Sequence, residues 1–158
     1  MNSKICFLIT LMVCATGLMA QSVEVRKKQF NIEESGLALQ GYDPVVYFVN
    51  NKAAKGKPEI SILVEGVIYR FTSEKNKNTF LTNPSKYEPQ YGGWCAYAMG
   101  SNGNKIEIDP ETFKITDGKL YLFYNKFFTN TLKEWNKNEV PLKTTADKNW
   151  EIFIHHKP

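Results

Sequence analysis

Apolar and polar residues change their spacing several times along this chain, and the changes mark its elements. Residues 21–35 are polar and predict a leader into the fold. From 36 to 48, "GLALQGYDPVVYF", apolar density rises, and Asp43-Pro44 predicts a turn or an extended bend. "NNKAAKGKP" (50–58) is a loop by composition. "EISILVEGVIYRFTS" (59–73) holds two β-rich runs separated by Glu65-Gly66, the pattern of a hairpin. Ser73 predicts an N-cap for a short helix through "EKNKNTFL", which Asn83-Pro84 ends, with one further helical turn starting at Pro84. A second hairpin is marked more sharply: "TFKIT" and "KLYLFY" flank Asp117-Gly118. In "NKFFTNTLKEWNKN" the residues Phe128, Leu132 and Trp135 fall at helical intervals, and "TADKNWEIF" predicts a terminal helix docked through Trp150 and Phe153. No internal repeat is visible. The predicted fold class is α+β, a small single domain of short antiparallel hairpins with flanking helices.

The first twenty residues change that picture, because they read as an export signal. Lys4 precedes the apolar run "ICFLITLMVCATGLMA", and Ala20 offers a small residue at a cleavage position. Thr10, Thr16 and Gly17 interrupt the run, which suits a spanning helix poorly. A lipid-attachment site at Cys14 is the rival reading, with bulky Val13 against it. The chain is therefore expected to be exported, to a periplasmic or extracellular location. Removing residues 1–20 leaves 138 of the 158 residues, one ordinary domain divided here as leader 21–35 and folded domain 36–158.

Charge excludes one class of partner. The formal charge is +4, or +3 once Lys4 leaves, and the lysines are dispersed apart from "RKK" at 26–28. That is no footprint for nucleic acid. Of the three cysteines, Cys6 and Cys14 lie in the signal, so the mature chain keeps Cys95 alone and cannot form an internal disulfide.

Three stretches resemble a known family. "GLALQGYDPVVYF", "YRFTSEKNKNTFLTNPSKYEPQYGGWCAYA" and "DGKLYLFYN" look like the YHS-domain family, and more narrowly its exported (seleno)protein branch, over roughly 36–153. The resemblance implies a small α+β domain in which the position of Cys95 holds cysteine or selenocysteine. It also implies an association with heavy-metal handling through Cys and His. Tyr69 and Ser73 match the naming pattern, but Arg70 stands where its His would be and Thr72 where metal-handling members often have Cys. Val46 replaces another potential cysteine ligand. Only Cys95 carries over residue by residue.

Around Cys95 the sequence is "PQYGGWCAYAMG". Gly92-Gly93 permit a bend with exposed amides, and Tyr91, Trp94 and Tyr97 supply aromatic walls, so these five residues are the candidate ligand-binding set. A thiolate is a soft donor that favours copper(I) or zinc, and Met99 shares a face with Cys95 in either a helix or a strand. Cys95 and Met99 are the candidate metal ligands, with the terminal pair His155 and His156 as outlying ones. Alternatively Cys95 is a lone redox nucleophile resolved by an external thiol, which requires a lowered pKa; or it is structural, as buried free cysteines commonly are. No G-x-S-x-G occurs and no histidine lies within the core, which disfavours hydrolase chemistry. The expectation is an exported binding module, not an enzyme, for a soft metal such as copper or a small ligand held at an aromatic pocket with Cys95 at its lip.

Overall fold

The computed structural model describes residues 23–155. The expected export signal and His156 lie outside them. The chain is a small α+β domain. Residues 23–29 form α1. A 3₁₀ turn at Leu39–Gly41 leads into α2 (Pro44–Asn50), then the hairpin of β1 (Lys57–Val64) and β2 (Val67–Phe71). Helices α3 (Glu74–Thr82) and α4 (Pro84–Tyr87) follow. A second 3₁₀ turn, Gln90–Gly93, leads into α5 (Ala96–Asn102) and the hairpin of β3 (Asp109–Thr116) and β4 (Lys119–Phe123). A small hairpin of β5 (Asn125–Lys126) and β6 (Thr129–Asn130) precedes α6 (Thr131–Lys137) and α7 (Glu139–His155). Among the described residues no helix is long and apolar enough to cross a membrane.

Local chemistry accounts for most boundaries. At both larger hairpins the two turn residues are left-handed: Glu65 and Gly66 at φ 46° and 81°, Asp117 and Gly118 at φ 53° and 69°. That is the primed turn whose twist matches antiparallel strands. Ser73 Oγ accepts the Asn76 N–H and caps α3, as expected. The Asp-Pro step, expected as a bend, instead starts a helix. Asp43 caps α2 by accepting the Val45 N–H at 2.9 Å, and Pro44 takes the first helical position, where its missing N–H costs nothing. Phe128 departs from its helical expectation too. It sits in the turn between β5 and β6, and α6 begins only at Thr131 under the cap of Asn130.

The chain repeats itself in space although no repeat shows in its letters. The helix and both strands of 37–72 recur in 89–124 at a constant shift of 52 residues: α2 to α5 (44 to 96), β1 to β3 (57 to 109), β2 to β4 (67 to 119); the 3₁₀ turns correspond too, ending at Gly41 and Gly93. The correspondence extends to single bonds. Asp43 N–H donates to Ala54 O at 2.9 Å, and Cys95 N–H to Ile106 O at 3.0 Å. Leu37 bridges Ile68, and Pro89 bridges Leu120, both parallel. Each hairpin carries a register shift at the same place, between Lys57 and Ser61 and between Asp109 and Phe113. Identical residues at equivalent positions include the turn glycines Gly66 and Gly118, the left-handed Gly41 and Gly93, and the buried aromatics Tyr69/Tyr121 and Phe71/Phe123.

Two apolar clusters hold the domain together. Val45, Tyr47, Tyr69, Phe71, Phe80 and Cys95 belong to the first; Tyr91, Met99, Trp135 and Ala146 belong to the second. Strand β4 serves both: Leu120 and Leu122 face the first cluster, Tyr121 and Phe123 the second. A two-residue period puts alternate side chains on opposite faces, and here both faces are covered. The segment expected as a leader is partly helical and docked. Phe30 packs against Trp150 (5.8 Å between ring centroids), and Arg26 pairs with Glu88 at 2.5 Å.

Candidate functional site

The bend before Cys95 is built from three consecutive left-handed residues, Tyr91 (φ 55°), Gly92 (φ 59°) and Gly93 (φ 89°). It opens onto the protein's own chain instead of a ligand space. A Cβ on Gly92 would lie 2.7 Å from the Trp150 ring and 2.9 Å from the Phe30 ring, so glycine is required for close packing. The bend's carbonyls are occupied as well: Gly92 O accepts the Asn31 N–H at 2.9 Å and Gly93 O the Asn31 side-chain amide at 3.2 Å. Trp94 Nε1 donates to Gln29 O. Tyr91 is buried and donates its hydroxyl to Asp147 at 2.9 Å; burial first, then that carboxylate, pushes its ionisation well upward. Tyr97 is half-buried between the two clusters. The five expected ligand-binding residues are therefore brought together, but Tyr91, Gly92, Gly93 and Trp94 meet residues 29–31 and α7, and Tyr97 packs between the two clusters.

Cys95 is not at a lip. Its exposure is 0 %, and none of the described cavities is lined by it. The sulfur closes a local network. Tyr124 N–H donates to Sγ at 3.4 Å, and Thr131 Oγ1 lies 3.4 Å from it. The Thr131 hydroxyl spends its one proton on Tyr124 O at 2.9 Å, so the thiol proton is the donor toward Thr131. Cys95 thus joins the end of β4 to the start of α6, with donor and acceptor roles both used.

The equivalent position in the first half is Asp43, 52 residues earlier. Its Oδ2 accepts the Thr72 N–H at 2.7 Å, and Thr72 is the counterpart of Tyr124. It also accepts the Thr72 hydroxyl and the Asn76 amide, each at 2.8 Å, while fully buried. In both halves a side chain at the helix entry accepts the first backbone N–H beyond the second hairpin strand.

The other candidates disperse. Met99 is buried in the second cluster whereas Cys95 packs in the first, so the helical spacing does not pair their side chains in one site. His155 is exposed at the end of α7, where it meets Glu151 at 2.8 Å. Among the described residues no group of three or more His, Cys, Asp or Glu stands ready to hold a metal ion. Lys105 lies over the Phe153 and Trp94 rings and donates to Gln29; burial and then Lys28 lower its pKa. Of the matching motif residues, Tyr69 donates to Glu88 at 2.7 Å and Ser73 caps α3; Thr72, which departs from the motif, donates to Asp43.

Sequence reasoning missed Asp43, Arg26 and Glu88. Asp43 had a signal, a capping residue directly before a proline; the Arg26–Glu88 pair spans 62 positions and had none. It also missed a groove of about 760 Å³ between α1 and the first hairpin, lined by Val23, Lys27, Ile32, Leu63 and Ile68 among others. Comparison with family models, with curated proteins and with solved structures finds no match to this chain.

Proposed function

We propose that this chain is an exported YHS-type domain that works by binding a partner, not by catalysis, and that Cys95 is a structural residue of it. One observation carries the reading: the Cys95 sulfur occupies the place of the Asp43 carboxylate and accepts the equivalent backbone N–H, from Tyr124 instead of Thr72. A group engaged in closing the fold is badly placed to attack a substrate, since it must first break its own contacts. The export reading rests on residues 1–20, and the family reading on the three stretches quoted above. The groove beside α1 offers mixed apolar and charged walls to a partner.

The test is thiol chemistry on the reduced protein. Cys95 is expected to resist alkylation until denaturant is added, and Cys95→Ser is expected to take up as much copper(I) as the parent. Cys95→Ala should cost about 2 kcal/mol, the combined loss of an acceptor and of buried volume, read as a lower urea midpoint. One equivalent of copper(I) lost in Cys95→Ser would restore the metal reading. A trappable sulfenic acid at Cys95 after peroxide would restore the redox one.

A further inference from the structure

The hairpin of β5 and β6 ends in Phe127 and Phe128, which are 94 % and 106 % exposed. No other large apolar side chains among the described residues stand so free. The backbone makes the pair stranger. Phe127 is left-handed, at φ 57°, at the first of the two turn positions, where such a turn favours glycine. An aromatic residue there strains the chain and gains no packing within it. A local rule broken without a compensating contact in the fold points to a contact outside it.

We infer that this tip is a membrane anchor: Phe127 and Phe128 insert into the interface of an anionic lipid bilayer. Size favours lipid over a folded partner. Two phenylalanines offer roughly 400 Å², about half of the roughly 800 Å² per side that a stable protein interface buries. A convex two-residue tip has no surrounding shape to add the remainder, whereas acyl chains accept apolar groups of any outline. Charge favours an anionic surface. Lys126 precedes the pair and Lys133 follows on α6; both are exposed, and neither meets a carboxylate among the described residues. Insertion buries the rings while the lysine ammonium groups stay at headgroup level.

The experiment is co-sedimentation of the purified chain, lacking residues 1–20, with vesicles of phosphatidylcholine alone or with a quarter phosphatidylglycerol. The parent is expected to pellet with the mixed vesicles and less with the neutral ones. Phe127→Ser/Phe128→Ser should lower the partition coefficient at least about tenfold with an unchanged circular dichroism spectrum. Lys126→Glu should lower it severalfold on anionic vesicles only. Phe127→Gly removes one ring and relieves the turn, so it should bind at an intermediate level while melting at a higher temperature. Failure of the parent to bind either vesicle, including the case in which it sediments instead with a protein partner, overturns the proposal. Equal binding by parent and double variant does so too.

Discussion

Asp43 shows what one residue can decide in this domain. It is fully buried, and its two oxygens accept four donors: the N–H groups of Val45 and Thr72, the Thr72 hydroxyl and the Asn76 amide. A buried carboxylate is tolerated when its lone pairs are filled in this way. Asp43→Asn keeps the shape but turns one acceptor into a donor, which then faces an N–H group. The expected loss is about 2 kcal/mol, measured as a shift in urea midpoint at constant m-value. Cys95 fills the same position with a weaker acceptor and fewer donors around it. The Cys95 thiol therefore has packing and hydrogen-bonding partners of its own within the fold.

At the scale of elements, the two halves share a plan but differ in what covers them. Phe48 on α2 packs edge-on against Tyr87, whereas its counterpart on α5 is Gly100. A Cβ on Gly100 would fall 2.4 Å from Leu142 O, a backbone atom of α7. That absence of a side chain lets α7 lie directly on α5. Gly100→Ala cannot be absorbed by a rotamer change, so α7 must shift. The expected cost is about 2 kcal/mol or more, with faster proteolysis within 139–155 as the specific readout. The helical spacing of Trp150 and Phe153 foretold docking; the face receiving them was not legible, because it depends on a missing atom in α5.

For the whole molecule, the C-terminal helices are fastened to the second hairpin by Glu139. Lys114 Nζ reaches its carboxylate at 2.6 Å, with Thr116 and Trp135 each donating at 3.1 Å. Burial alone would raise its pKa, but the hydrogen bonds from Lys114, Trp135 and Thr116 together hold it below the ordinary 4.5. A depressed folded pKa contributes stability above the unfolded value and loses it as pH falls through the folded one. The parent should therefore lose stability below about pH 4.5. Glu139→Gln should melt lower at pH 7 and show a smaller further drop at pH 3, read by thermal melts at both pH values.

Local elements were largely written in the sequence. Both large hairpins, the cap at Ser73, the stop at Asn83-Pro84 and the docked terminal helix follow from turn chemistry and periodicity, which act over a few residues. The helix at Pro44–Asn50 is legible in its Asp-Pro start, a capping residue before a first-turn proline, although the same dipeptide also suits a bend. Phe128 fits a helical period yet sits on a hairpin tip, since spacing alone does not distinguish a ring on a helix face from one on a turn. What only the tertiary structure decided was accessibility and equivalence: that Cys95 is enclosed, that it matches Asp43, and that Phe127 and Phe128 are left uncovered. Burial and long-range pairing depend on which distant segments meet, and local patterning carries no record of that meeting.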